Sequence, residues 1–484
     1  MSTTTELQRA QERVDSAAVA AALAYRPIPR TLDDALIDDS LPYDGLPLAA
    51  ELALSRRFIA AAGGRLRWSP GMDWMIDRGT HWERDTLLQR FAIAKRVCTE
   101  AAQETDKEPL AAKICAASTV AAIIGLARSD GTIATPVARW DSEPMILNTP
   151  GGAIDLETGR EVSRDGLLFT QTTSAAPRRM ATPRWSQFLQ EVFAGDAPMI
   201  EFIQRLAGYA LTGSIREQTL FFLHGTGANG KSVFLDILRA IGGSYAYNLP
   251  SEALMSSRQS GHPTMLAALQ GKRIAVSSEV EEGSHWSEAR IKSLTGDETL
   301  TARFMRQDFF EFRLTSKHVI GGNYKPRLRG DDFAMVRRLV LIPFAQRFEG
   351  ARRDDNLTTK LKAELPGILQ WAIDGAVKWA RDGLAIPESV ANASQQYASE
   401  QNDLELWMAE CCERSPGATT SSAVLYASFK AWKEASGERA PSNKSFGQRL
   451  ERLFEKRRIK AGSTFDGITL AAGADLFTDG QADA

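Results

Sequence analysis

The sequence predicts an α/β class for the centre of this chain, with a mixed α+β domain upstream and a small winged-helix domain downstream. Three observations carry that reading. Between Thr219 and Leu238 an apolar run, Leu220 to Leu223, feeds a glycine-rich turn, and apolar residues at helical spacing follow (Val233, Phe234, Ile237, Leu238), which is strand, loop and helix. Further candidate strands come later at Lys272 to Ser278, Lys317 to Gly321 and Leu339 to Pro343. The 484 residues are too many for one core, so two to four domains are expected.

Composition sets limits on function. Hydrophobic residues make up 43% and charged residues 24%, as in an ordinary globular protein, and 58 Lys plus Arg against 60 Asp plus Glu mean that any basic surface must be local. The cysteines Cys98, Cys115, Cys411 and Cys412 lack zinc spacing, which favours a reduced cytoplasmic setting. Ile114 to Leu126, the longest apolar stretch, is too short to span a bilayer, and no signal-peptide core begins the chain, so no membrane partner is expected.

Residues 1–45 read as a partly disordered leader with one helix, Glu6 to Tyr25. Residues 46–183 read as the upstream domain. It starts with a helix near Leu48 to Ala62 and a hairpin on which Trp68, Trp74 and Trp82 alternate with polar residues. These aromatics can stack on bases, but packing against the following helices, Thr86 to Glu104 and Leu110 to Ser129, accounts for them more simply. Two short strands punctuated by Gly151, Gly152 and Gly159 come next, and then helices from Trp185 to Val192 and from Pro198 to Thr212.

The phosphate loop reads Gly225, Thr226, Gly227, Ala228, Asn229, Gly230, Lys231, Ser232, fitting G-x-x-x-x-G-K-[ST] between a strand and a helix. Glycines let successive N–H groups turn inward on phosphate oxygens, and the helix adds the positive end of its dipole. Lys231 would reach the β- and γ-phosphates of ATP, and Ser232 would hold Mg²⁺. At the end of the next candidate strand stand Glu279, Glu281 and Glu282. Such a site needs one carboxylate for the metal, assigned to Glu279, and one to polarise the attacking water, assigned to Glu281 or Glu282.

TLTARFMRQDFFEFRL, from Thr299 to Leu314, predicts a β-hairpin with Arg306 and Gln307 near its tip, where a cation can grip a phosphate backbone. Asn323 follows the third candidate strand, placed to bond a γ-phosphate or the attacking water. Arg337 and Arg338 precede the fourth, as structural ion-pair partners or as an arginine finger for a neighbouring subunit. Residues 351–413 read as a helical segment closing residues 184–350. After a Ser-, Thr-, Gly- and Pro-rich linker from Arg414 to Ser422, an amphipathic helix, Ser445 to Leu453, puts Phe446, Leu450 and Leu453 on one face. Basic residues Lys444, Arg449, Arg452, Lys456, Arg457, Arg458 and Lys460 cluster around it, ahead of a wing-like strand, Thr464 to Leu470. Residues 423–472 thus read as a winged-helix DNA-binding domain and 473–484 as a flexible tail.

Taken in order, these motifs resemble the helicase part of the superfamily 3 primase-helicases of phages, plasmids and poxviruses. GTGANGKS is similar to that family's Walker A, RIAVSSEVEEG to its Walker B, LTGDETLTARFMRQDFFEF to its DNA-translocating hairpin, GGNYKPRLRG to its sensor asparagine and DDFAMVRRLVLIPF to its arginine-finger region. The resemblance implies an AAA+-like P-loop NTPase core with an α+β accessory domain before it and a winged helix after it. It further implies Asn323 as γ-phosphate sensor, Arg338 as preferred finger with Arg337 in reserve, and Arg306 with Gln307 at the hairpin tip, where relatives carry lysine and histidine. Lys292 and Arg303 would help grip the DNA. The implied assembly is a ring, of six subunits, on single-stranded DNA, acting on forked or origin DNA with ATP and Mg²⁺. Only about 45 residues precede the accessory domain, too few for a primase fold, so the expectation is either a partner that supplies the primase, a separate primase or polymerase, or a standalone helicase. Competing expectations are a DNA-binding initiator or regulatory or defence ATPase with little unwinding, and a small-molecule kinase; the hairpin and the arginine segment argue against the kinase.

Overall fold

A computed structural model describes residues 49–256, 263–303, 305, 309–328, 333–400, 403–435, 440–459 and 462–471. The expected leader, its helix Glu6 to Tyr25, the tail, Arg306, Gln307 and Lys460 lie outside the described residues. The chain divides into two compact units, one holding 49–76 and 84–137, the other 77–83 and everything described from 138 onward.

In the first unit the helix Glu51–Ala62 stops at Gly63, whose φ of 56° ends it with a left-handed residue. Its buried Leu54, Phe58 and Ala62 share a core with Val120, Ile123 and Ile124 of the helix Ala117–Ala127, and Ser55 Oγ donates to the Ile123 carbonyl at 3.0 Å. Strands β1 (Leu66–Ser69) and β2 (Asp73–Asp77) form the tryptophan hairpin, with Trp68 opposite Trp74. Trp74 is fully buried and meets Phe58 edge to face at 6.2 Å, so its role is packing. A short strand β3 (Trp82–Arg84) follows in the chain, its first two residues counted with the second unit. The next helix begins at Gln89 rather than Thr86, because the Asp85 carboxylate accepts from the backbone N–H groups of Gln89 and Arg90 at 2.7 and 3.1 Å. The single helix expected over Leu110 to Ser129 is two, Glu108–Ile114 and Ala117–Ala127, bent by 50°. Thr119 Oγ1 donates to the Lys113 carbonyl at the bend, one of the groups that the break leaves without a helical partner. Among the described residues no single helix is long and apolar enough to cross a membrane.

The second unit opens with a three-stranded antiparallel sheet, β4 (Ile146–Thr149), β5 (Gly152–Asp155) and β6 (Arg160–Val162), one strand more than expected. The helices Pro183–Val192 and Ala197–Leu211 then pack Trp185, Phe188, Phe202 and Leu206 into the main core. Beside them runs a five-stranded sheet of β7 (Leu220–His224), β8 (Ala246–Asn248), β9 (Ile274–Ser278), β12 (Lys317–Gly322) and β13 (Leu339–Pro343). All pairs are parallel and the order is β13-β7-β12-β9-β8. The near-continuous burial of β7, β9, β12 and β13 is what a parallel sheet covered by helices demands. Residues 246–248, unread in the sequence, supply its far edge. Strand β9 follows β7 in the chain but does not pair with it. Strand β12 lies between them, because a long crossover lets the chain skip a position that a later strand fills.

Between β9 and β12 come the helix Glu288–Gly296 and the expected hairpin, β10 (Thr299–Ala302) against β11 (Phe310–Arg313), with Thr299 opposite Arg313 and Ala302 opposite Phe310. After β13 come the helices Leu357–Ala363, Leu365–Asp382, Glu388–Glu400 and Asp403–Cys411. Helix Leu365–Asp382 crosses Ala197–Leu211 at two glycines: a Cβ on Gly208 would lie 2.0 Å from Ala376 N, and one on Gly375 2.1 Å from the Gln204 carbonyl oxygen.

The C-terminal module corrects one expectation. Residues 414–422 are not a linker: Cys412–Ser421 is a strand, β14, in a sheet of order β14-β16-β15 with β15 (Lys456–Ile459) and β16 (Gly462–Leu470). Thr419 and Thr420 suit an exposed strand, and the misleading Pro416 and Gly417 fall within the register break between Arg414 and Thr419. Helices Ser422–Ala435 and Asn443–Leu450 pack Phe429, Phe446 and Leu450 on Trp407. Leu453, expected on that buried face, lies beyond the helix and is exposed.

Candidate nucleotide site

The strand ends build the site. In register, His224 of β7 pairs with Gly322 of β12 and Pro343 of β13, while Ser278 of β9 pairs with Gly321. The phosphate loop, Asn323 and Glu279 therefore all leave the sheet at its carboxyl edge, where open parallel sheets bind ligands. The loop runs directly into the helix Lys231–Gly242, with Gly227 at φ 100°, Ala228 at 47° and Gly230 at 88°. Glycine is required at 225, since a Cβ there would lie 2.2 Å from Asn229 Nδ2 and 2.3 Å from the Phe344 carbonyl oxygen.

Lys231 is buried at the centre. Its Nζ donates to the Gly225 carbonyl at 2.6 Å, to Asn229 Oδ1 at 3.1 Å and to Asn323 Oδ1 at 3.0 Å. Burial pushes the ammonium down from its ordinary value. Asn229, itself buried, donates to the Phe344 carbonyl at 3.1 Å, and Phe348 N donates to the Ala228 carbonyl at 2.7 Å, so the chain leaving β13 laces the outside of the loop. Ser232 is exposed in the first helical turn, and Asn323 is exposed at its strand end. Glu279, Glu281 and Glu282 are exposed. Glu279 has the left-handed φ of 62°, and its carbonyl accepts from Ser251 Oγ at 3.1 Å. Among the described residues no group of three or more His, Cys, Asp or Glu could hold a metal ion unaided.

The two arginines part company. Arg338 is 9% exposed and its Nε donates to Thr295 Oγ1 at 3.1 Å, whereas Arg337 is exposed. Both precede β13, whose first residue pairs with the first residue of β7, so they sit at the sheet edge opposite their own phosphate loop. Of the residues expected to grip DNA, Arg303 stacks over the exposed Phe309 ring at 4.7 Å and Lys292 is half-buried. Lys444 and Arg452 are exposed. Arg449 is held inside its module by Asp403 Oδ1 at 2.5 Å, and Lys433 takes the other oxygen of that carboxylate at 2.9 Å. Burial alone would raise the Asp403 pKa, yet the two cations hold it below its usual range.

Four residues of the site escaped the sequence reading. His224 closes β7 half-buried, and burial, with Lys325 and Lys231, lowers its pKa. Lys325, Trp286 and Tyr397 join the segment after Asn323 to the acidic loop and to the helix Glu388–Glu400. Only the isolated Trp286 among polar residues hinted at this.

With this geometry in hand, the likenesses to known proteins fall on the same regions. The D5 N terminal like family matches residues 54–194, a family of unknown function (DUF5906) matches 223–338, and the Poxvirus D5 protein-like family matches 400–468. The "Putative helicase L207/L206" of Acanthamoeba polyphaga mimivirus is 25% identical over 258 residues, 49% of this chain and 27% of its own length. The "Putative helicase 022R" of Frog virus 3 is 24% identical over 298 residues, 56% of this chain and 30% of its own length. The chain thus spans less than a third of these curated relatives. Among solved structures, the apo C-terminal region of NrS-1 aligns with a TM-score of 0.51 at 14% identity, covering 87% of this chain and 99% of that one, which supports a shared fold.

Proposed function

The chain belongs to the D5-like primase-helicase family, and from that premise we propose that it is a superfamily 3 ATP-dependent DNA helicase that translocates on single-stranded DNA as a ring. The observation that carries this reading is the convergence on Lys231 Nζ of a loop carbonyl, a loop asparagine and Asn323 from the adjacent strand. A bound triphosphate would replace these acceptors with β- and γ-oxygens, leaving Asn323 free to bond the γ-phosphate or the attacking water. The residues present fit a magnesium nucleotide. Mg²⁺ keeps most of its waters and needs few protein ligands, which Ser232 and Glu279 would supply, with Glu281 or Glu282 orienting water. Burial of Arg338 favours the exposed Arg337 as the group offered to a neighbouring subunit, with Arg338 holding the segment in place.

Arg303, with the hairpin around it, is the proposed grip on the DNA backbone. We read the C-terminal module as a winged helix whose outward cations are Lys444 and Arg452, while Arg449 serves its core. Replication of a phage, prophage, plasmid or mobile element in a bacterial cytoplasm, with a separate primase or polymerase, is the setting this reading implies.

The test is ATP hydrolysis with and without single-stranded DNA at two salt concentrations. Turnover stimulated by DNA, weakened by salt, abolished by Lys231→Ala and losing its DNA response in Arg306→Ala is the expected outcome. Turnover indifferent to DNA would move the reading to a regulatory ATPase, and phosphate transfer to a metabolite to a kinase.

A further inference from the structure

We infer that Tyr397 and Glu400 are positioning residues that yoke the proposed sensor Asn323 to the acidic loop Glu279–Glu282, setting both against the phosphate loop. The inference rests on the reading of Asn323 and the glutamates given above.

The segment that leaves β12 passes between two supports. Its first residue, Asn323, meets Lys231. Two residues on, Lys325 Nζ pairs with Glu400 Oε2 at 2.9 Å and lies 5.7 Å above the Tyr397 ring. The Pro326 carbonyl then accepts from the Tyr397 hydroxyl. That same hydroxyl oxygen accepts from Trp286 Nε1 at 3.0 Å. On the other side Trp286 N donates to the Arg327 carbonyl at 3.0 Å, and Arg327 N donates to the carbonyl of Ser284, the second residue after the glutamates' Glu282, at 2.8 Å. Trp286 and Tyr397 are each 1% exposed, and the Trp286 ring stands edge-on to Phe222 of β7 at 5.7 Å. One buried hydroxyl therefore donates to the sensor segment and accepts from the acidic segment, and both segments are braced on the strand that carries the phosphate loop. Removing the hydroxyl leaves a carbonyl and an indole N–H unpaired in a dry site and frees the two segments to shift independently.

The experiment compares full-length wild type, Tyr397→Phe, Glu400→Gln and the charge swap Lys325→Glu with Glu400→Lys. Each is measured for kcat, for KM and for binding of a non-hydrolysable ATP analogue. A misplacement of this kind predicts that Tyr397→Phe lowers kcat between about 10- and 100-fold while analogue affinity stays within about twofold, since the loop and Lys231 are untouched. Glu400→Gln should lower kcat in the same direction, and the swap should recover it. Glu400 is half-exposed, so that variant remains informative if Tyr397→Phe does not fold. Unchanged kcat in both single variants overturns the inference, as does a parallel loss of affinity, which would mark a general structural role. Failure of the parent reading looks different: wild type would then show no turnover, or turnover indifferent to Lys231→Ala.

Discussion

His318 is the residue whose surroundings make the sharpest demand on solution conditions. It lies on β12, fully buried, and neither ring nitrogen has a hydrogen-bond partner among the described residues. Burial, with the neighbouring Lys317 charge, lowers its pKa from 6.5 to about 4. With the folded pKa depressed, its contribution to stability is complete above pH 6.5 and is lost as pH falls through the window down to 4. The loss between pH 7 and pH 5 is on the order of 2 kcal/mol. Urea unfolding at the two pH values should show this difference, and His318→Phe should shrink it. At this scale the meeting of residues at the strand ends was readable: Gly225 and Asn323 were expected beside Lys231, because the loop announces itself by its spacing, and both are bonded to its Nζ. Arg338 was not: its sequence position is the same whether the guanidinium reaches outward or, as here, donates to Thr295 inside its own subunit.

Elements were legible where periodicity or punctuation was local. Strand β13 falls at Leu339–Pro343 as read, and the hairpin β10–β11 brackets the expected turn. Errors came where a tertiary partner overrode the local signal: the start of the helix at Gln89 is set by the Asp85 cap, and β14 exists because β16 pairs with it across the Pro416–Gly417 irregularity. The crossing of helices Ala197–Leu211 and Leu365–Asp382 is another such case, since nothing in the chain announces that Gly208 and Gly375 face backbone at about van der Waals overlap. Gly375→Ala must push the helices apart, and overpacking of this kind costs about 1–3 kcal/mol, more where backbone is the obstacle. A fall in denaturation midpoint with an unchanged slope is the expected record. The edge of β13 away from β7 is covered in a way that also depends on distant sequence: Leu341 N donates to Ser394 Oγ of the helix Glu388–Glu400 at 2.9 Å.

At the scale of the whole molecule, the reading turns on what neighbouring copies share. Arg337, the proposed finger, lies at the sheet edge opposite the phosphate loop of its own chain, so in the proposed ring it would serve the next one. Mixing Arg337→Ala with Lys231→Ala tests this: each variant alone should be inactive, and mixed rings should recover turnover at interfaces that join an intact loop to an intact arginine. No recovery beyond the sum of the parts, with oligomers intact, would remove the support for a shared site. Strand order was the part of the architecture that the chain could not disclose, since a later strand, β12, fills the gap between β7 and β9.

That gap has a consequence during synthesis. Strand β7 ends at His224, but its two neighbours are Lys317–Gly322 and Leu339–Pro343, about a hundred residues later. At roughly 5–20 residues per second, the nascent chain carries this buried apolar strand without lateral partners for several seconds or more. Its neighbours must then be captured across long loops, whose closure entropy delays the completion of this sheet.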